Sequence, residues 1–513
     1  MKKIICLLCF ISFAYKLNPV GFNLSNKTVT LKVSSGANLK LNSPITNVNG
    51  TIIKESGANI DGSSITFNDG SFNDSTGKVK VLGTLDFGDI KKIILDGNKN
   101  FEGKRGDVLQ AINISGQDNI VQGVLSVLDD IELQDINSSV LFNIRTRLDS
   151  NINLNSGSMI LGDDLAFLDT KRIFGPGSVD LAGHRLSLGA KDLTWDEPIL
   201  FKDASDIKLN SNLYLNSTWT FSGSSILCGG DKIIFLNTDN CIRVLANSHL
   251  LIRDAVLYGL SGSNISCIDD SSVISLQNVK IILDNNFNFT SGALIFWDTV
   301  EFIGKNKTFN YQTNMTSTIK DNAIIVLGNT VTFSYAPSSG KNNLLEFEAD
   351  DSTINLNGGT IYTAYTGLDL LKGRIVVDKN SNLIIESKNW LYESVTSTYN
   401  NLDDAITYTT YDYTYGISGY LNLGNDVQEY DFKVDILNGA NLKIYSGILS
   451  CNNTLDSCIC TNDSMSCLSF MAGSHFDVCH DLNIGSGQIV LYGGAGLRTF
   501  NNAIISGSIS RHN

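Results

Sequence analysis

The sequence predicts an all-β chain wound as a β-solenoid, with coils of about 20–25 residues. Three observations predict it. First, the stretches Ser248 to Gly259 (SHLLIRDAVLYG), Ser271 to Ile282 (SSVISLQNVKII) and Gly292 to Ile303 (GALIFWDTVEFI) align without gaps. The alignment puts Leu251, Ile274 and Ile295 in one column, Val256, Val279 and Val300 in a second, and Tyr258, Ile281 and Phe302 in a third. β-Branched and aromatic residues alternate with others in each unit, the period of a strand. Second, Gly36-Ala37-Asn38-Leu39 returns as Gly57-Ala58-Asn59-Ile60, and again as Gly439-Ala440-Asn441-Leu442. A Gly-x-Asn corner before an alternating run is a coil junction. Third, 45 Gly against only 5 Pro favours corners made by residues that tolerate left-handed backbone over proline turns. A unit this small cannot bury its apolar face alone, but a stack of units can.

The elements follow in chain order. Residues 1–14 read as a signal peptide: Lys2 and Lys3 precede the apolar run Ile4 to Ala14, which is too short to span a bilayer as a helix. The expectation is an exported chain, extracellular or at the cell surface, without a transmembrane segment. Residues 15–390 are the solenoid body. Within it Asp118 to Leu148 could be sorted at helical spacing, but its Val and Ile content favours strands. A second pattern, Gly177 to Leu186 and Ser224 to Ile233, links distant coils, and Gly83 to Phe87 and Ser352 to Leu356 carry its first half. Residues 391–430 are Tyr-rich: Tyr392 to Tyr420 is either a loop leaving one coil or aromatic strands packed on the wall, with packing favoured. Residues 431–513 are terminal coils with a Cys-rich loop at 451–480.

Composition excludes some functions. Hydrophobic content of 42% with 18% charged residues is that of a folded chain, not a disordered one. With 38 Lys plus Arg against 52 Asp plus Glu, and no basic block, nucleic acid finds no electrostatic footprint. The cysteines Cys451, Cys458, Cys460, Cys467 and Cys479 lack two well-spaced CxxC pairs, so in an exported chain they are expected to form disulfides rather than to hold zinc beside His475 and His480. Cys228, Cys241 and Cys267 lie on coils close enough to pair. His184 and His249 are expected at the surface.

The coil periodicity resembles that of the right-handed parallel β-helix proteins with the pectin-lyase-like fold: pectate lyases, polygalacturonases, phage tailspikes and passenger domains of bacterial adhesins. The likeness covers most of the chain and implies a right-handed parallel β-helix. It also suggests where an enzyme would carry its chemistry. Polygalacturonase-like enzymes have an Asn-Thr-Asp segment, which Asn237-Thr238-Asp239 matches, and a paired-Asp segment, for which Asp269-Asp270 stands. The Gly-His-Gly and Arg-Ile-Lys segments of those enzymes are missing. A lyase would need stacked carboxylates for Ca²⁺ and a cationic base. Asp254, Gln277 and Asp298 share a column with Arg253 beside it, but two carboxylates separated by an amide read better as the polar turn of each coil. Lys280 and Glu301 are expected to pair across adjacent coils.

The sequence therefore points to an exported structural and binding protein, adhesin-like, offering a solenoid wall to a glycan or a surface protein. The alternative is a polysaccharide lyase or glycoside hydrolase using Asp239, Asp269 and Asp270. No cofactor and no metal are expected. The residues expected to bind ligand are the exposed aromatics Tyr408, Tyr411, Tyr413, Tyr415 and Tyr420. Val256, Val279 and Val300 are expected to stack inward on parallel strands.

Overall fold

In a computed structural model, strands recur from Thr30 to His512, and residues 130–512 are described almost throughout. Stretches including 1–29, 75–92, 387–392, 413–419, 425–431 and 453–457 lie outside the described residues. The expected signal peptide, the repeat half Gly83 to Phe87, Tyr413 and Tyr415 fall there. The fold is all-β, with no helix among the described residues and about 15 turns of parallel stacked coils. The chain divides into two compact units, residues 1–255 and 256–513.

In unit 1 the coil walls are visible as strand registers about 20 residues apart. One wall runs through Ser139–Phe142, Ser158–Leu161, Gly177–Asp180, Ile199–Lys202 and Trp219–Phe221, each parallel to the next. Another runs through Thr146–Leu148, Leu165–Phe167, Arg185–Ser187 and Asp206–Lys208. The strands that follow the first two Gly-Ala-Asn repeats stack in register, Asn38–Leu41 pairing with Asn59–Gly62 with Asn38 opposite Asn59. The stretch with a rival helical reading is strands: Asn119–Gly123, Ser126–Val127, Ile131–Leu133, Ser139–Phe142 and Thr146–Leu148. Part of the core between walls is aromatic. Trp195 and Trp219 are fully buried, with ring centroids 5.0 Å apart edge to face, and Phe201 stacks on Phe221 at 5.3 Å.

The second repeat pattern does not mark equivalent coil positions. Gly177–Asp180 pairs with Ile199–Lys202, whereas Ser224–Leu236 pairs with Asp206–Lys208 on a different wall. A strand-turn-strand signature recurs wherever two strands meet at a corner, so it does not identify the wall.

In unit 2, Val273–Phe289 and Ala293–Ile303 run parallel, and Val279 faces Val300 with both buried. Lys280 sits opposite Glu301, and their Nζ and Oε2 are 3.0 Å apart, as expected. Two corrections concern the aligned columns. Ile274 pairs with Leu294, not Ile295, because the register shifts between Gln277 and Val279. The shift falls at Asn278, whose φ of 53° is left-handed, as are those of Asp298 and, in unit 1, Asp254, both at 50°. Asn and Asp adopt this geometry more cheaply than other side chains, and one such residue inserts a bend into the strand. The gapless alignment is therefore out of phase in the first stretch. There Leu250, Ile252, Ala255 and Leu257 are buried, Leu251 and Val256 are only half-buried, and Tyr258 is 39% exposed.

The Tyr-rich region falls between Ser381–Ile385 of one coil and Tyr420–Leu423 of the next, which pairs with Leu368–Leu370. Gly373–Lys379 pairs directly with Phe432–Ile436, and Ser381–Ile385 with Asn441–Tyr445. Between them Glu393–Asn401 and Asp404–Asp412 form an antiparallel hairpin whose strands pair with each other and, among the described residues, with no solenoid strand.

Candidate functional site

The residues expected to carry catalysis are corner residues. Asn237 donates its amide to the Asn216 side chain at 2.8 Å, and the Thr238 backbone N–H points at Cys241 Sγ at 3.3 Å. Asp239 lies exposed in that same corner, just before the left-handed Asn240. In unit 2 Asp269 Oδ1 accepts the Ser271 hydroxyl at 2.7 Å, the Ser271 N–H at 2.9 Å and the Ser272 hydroxyl at 3.3 Å. These bonds, the Ser271 hydroxyl first, hold the Asp269 carboxyl below its usual range. An anion fixed in this way is a turn cap and a poor proton donor. Asp270 Oδ1 lies 3.5 Å from the Gly292 N–H of the next coil.

The carboxylate column is corrected too. The residue matching Asp254 and Asp298 in conformation is Asn278, while Gln277 donates its amide to Asp298 Oδ2 at 2.8 Å. These side chains serve the bend, as the polar-turn reading expects. Arg253 is half-buried in unit 1.

Among the tyrosines, Tyr408 and Tyr411 lie on a hairpin strand. Tyr420 opens the wall strand Tyr420–Leu423, half-buried with its ring across Gly367. Its hydroxyl meets the Asn342 amide, which also reaches Asp369 Oδ2 at 2.7 Å, and Asn422 holds Asp369 Oδ1 at 2.7 Å. Burial raises the Asp369 pKa. This network ties Tyr420 into the wall.

Of the clustered cysteines, Cys451 and Cys458 form a disulfide. Cys460 and Cys467 are thiols on the strands Ile459–Thr461 and Cys467–Phe470. Coil register puts Asp435 opposite Cys460, and Asn441 and Gln488 on either side of Cys467. The expected set of disulfides thus reduces to one shown bond, because stacking gives these cysteines non-cysteine neighbours. Cys228, Cys241 and Cys267 are likewise thiols.

The concave feature of unit 1 was not found by motif. On the wall from Thr146–Leu148 to Asp206–Lys208, one residue between each pair of buried neighbours points outward. Arg147, Ala166, Ser187 and Lys208 form that row, in direct register. Two adjoining hollows of about 430 and 360 Å³ lie along it, sharing Arg147, Ala166 and Asn210. Small Ala166 and Ser187 leave room between Arg147 and Lys208. Gly189 closes the bend beside them, where a Cβ would strike the Asp169 carbonyl. Asn210, exposed at the hollow, donates its amide to the Leu188 carbonyl at 2.5 Å.

The charges here separate into paired and unpaired. Arg185 is neutralised by Asp206, with Nε and Nη2 at 2.9 and 2.7 Å from Oδ2, and Lys191 lies 3.5 Å from Asp169. Arg145, Arg147 and Lys208 are exposed and have no ion pair or hydrogen bond from their side chains among the described residues. At the rim, Asp163, Asp164 and His184 each place one ligand atom within 4.8 Å of the others. Asp164 Oδ1 already accepts the Arg185 N–H at 2.9 Å, and the guanidinium beside it opposes a dication. The signal for the row was present in the sequence as Leu-x-Leu-like triplets 19 to 21 residues apart, each hiding one outward residue. Comparison with protein families, with curated proteins and with solved structures returns no match.

Proposed function

We propose that this protein is an exported, surface-located binding protein that offers its solenoid wall to a glycan or surface-protein partner. The observation that supports this reading most is the row Arg147, Ala166, Ser187 and Lys208, a hollow with cations at its ends and small residues between. Catalysis asks for an acid and a base poised within reach of one bond. Asp269 is instead a capped anion, and Asp239 and Asp270 sit in corners. The purified chain is tested on an array of neutral glycans, acidic glycans and surface proteins, with release of reducing ends assayed in parallel. The expected outcome is specific binding without oligosaccharide release, unchanged by Asp239→Asn or Asp270→Asn. Release of oligosaccharides that is lost on Asp239→Asn would replace this reading with a hydrolase or lyase.

A further inference from the structure

We propose that the hollow on unit 1 takes an acidic oligosaccharide, with carboxylate or sulfate groups on Arg147 and Lys208 and hydroxyls on Ser187 and Asn210. This rests on the binding function just proposed and names its ligand. Four observations carry it.

The first is charge that the fold leaves unused. The chain has a formal net charge of −14, and some of its cations, Lys280, Lys320, Arg185 and Arg498 among them, have carboxylate partners. Arg145, Arg147 and Lys208 have none among the described residues, and all three line the same hollow. Of the carboxylates that line the two adjoining hollows, Asp164 is engaged by the Arg185 backbone N–H, Asp169 lies 3.5 Å from Lys191, and Asp149 lines the second hollow only. An anionic ligand supplies the counter-charge that the protein does not.

The second is spacing. Arg147 and Lys208 are three coil steps apart, through Ala166 and Ser187. At the inter-strand spacing this separates their Cα atoms by about 14 Å. The trough therefore favours an extended ligand with repeated charges over a single small anion.

The third is the floor. The Ser187 hydroxyl has no partner among the described residues, and Asn210 and Asp164 add acceptors at the edges. A ligand that carries hydroxyl groups between its charges matches these; a simple polyanion does not.

The fourth is direction. The trough runs across the strands, whose main-chain groups are already paired with the coils on either side. An acidic peptide laid there would find no free strand edge to pair with. Recognition must come from side chains, which suits a saccharide.

The test is calorimetric titration of the full chain with three tetrasaccharides: one from hyaluronan (carboxylate), one from chondroitin sulfate (carboxylate and sulfate) and neutral cellotetraose. Arg147→Ala/Lys208→Ala is the test variant, and Lys280→Ala the control for loss of a cation elsewhere. Both test residues are exposed on the wall, and an unchanged melting temperature verifies that the variant is folded. The expected result is binding of one or both acidic ligands, none of cellotetraose, and weakening by about tenfold or more in the double variant and with added salt. Preference between the acidic two separates carboxylate from sulfate recognition. The proposal is overturned if the double variant binds as wild type does, or if cellotetraose binds equally well. It is also overturned if none of the three binds. In each of these cases a hit among the array's other glycans or surface proteins would still sustain the broader binding reading, so the two fail separately.

Discussion

Tyr311 and Tyr335 stack face to face in the core of unit 2, ring centroids 5.5 Å apart, and each hydroxyl serves the loop that follows. The Tyr311 hydroxyl lies 2.6 Å from the Met315 carbonyl and 2.8 Å from that of Leu344; the Tyr335 hydroxyl donates to Lys341 O and accepts the Leu344 N–H, both at 2.9 Å. Tyr335→Phe would leave the buried Leu344 N–H unpaired, and should cost about 1–3 kcal/mol in a denaturant titration. Burial pushes the Tyr335 pKa up to about 12 from the ordinary 10.0, and raises that of Tyr311 as well. The folded state thus holds these protons more tightly than the unfolded state. The stability this gives is complete below pH 10 and is lost as pH rises through 12. Alkaline unfolding followed by circular dichroism should begin above pH 10, and Tyr335→Phe should flatten it; an unchanged profile would mean that another group governs it. The two valines of one aligned column separate in the same way. Val279→Asp buries a charge and should destabilise by about 3 kcal/mol or more, whereas Val256→Asp, on a half-buried side chain, should cost about 1 kcal/mol or less. Sequence alternation showed that one of every two residues points inward. It could not show which, because a single left-handed Asn or Asp reverses the phase after it.

Strands and their excursions differ in how the sequence announces them. Repeated Gly-Ala-Asn corners and Lys280–Glu301 pairing were legible because they recur at the coil period. The Tyr-rich excursion was legible only as a break in that period, and its antiparallel hairpin was not. The registers across it explain why the coil survives: Leu368 meets Leu421, Ile375 meets Val434 and Leu383 meets Ile444, so the wall resumes at Tyr420 as though residues 386–419 were absent. Replacing residues 393–412 by a short Gly-Ser linker should therefore shift the melting temperature by no more than about 2–4 °C, since it removes no wall pairing. The same deletion sets the tyrosines against the hollow as the binding site. Acidic-saccharide affinity should survive it; loss of affinity with an intact fold would move the site to Tyr408 and its neighbours. The hollow itself escaped motif reading for a physical reason. Arg147 and Lys208 are 61 residues apart in the chain and three coil steps apart in space, and no local pattern encodes that step without the register.

A solenoid is close to one-dimensional: each coil rests on the coils before and after it, so damage should spread by neighbour contacts and fade with distance. The registers give this its content. In unit 2 the strand of Val279 pairs with that of Val300, which pairs with Ile324–Leu327, which pairs with Thr353–Asn357. In unit 1 the walls have their own chain of pairings from Ser139–Phe142 through Trp219–Phe221. An Asp at position 279 removes inward packing from one coil and desolvates a charge there, but it breaks no hydrogen bond in unit 1. Amide hydrogen exchange on Val279→Asp should accordingly show protection lost over residues 273–303, reduced over 324–327, and kept over 139–221. Exchange of this kind reports local opening residue by residue, so it resolves the gradient that a single melting curve averages. If protection were instead lost equally at 139–221, the chain would unfold as one cooperative block, and the neighbour-by-neighbour account of its stability would be wrong.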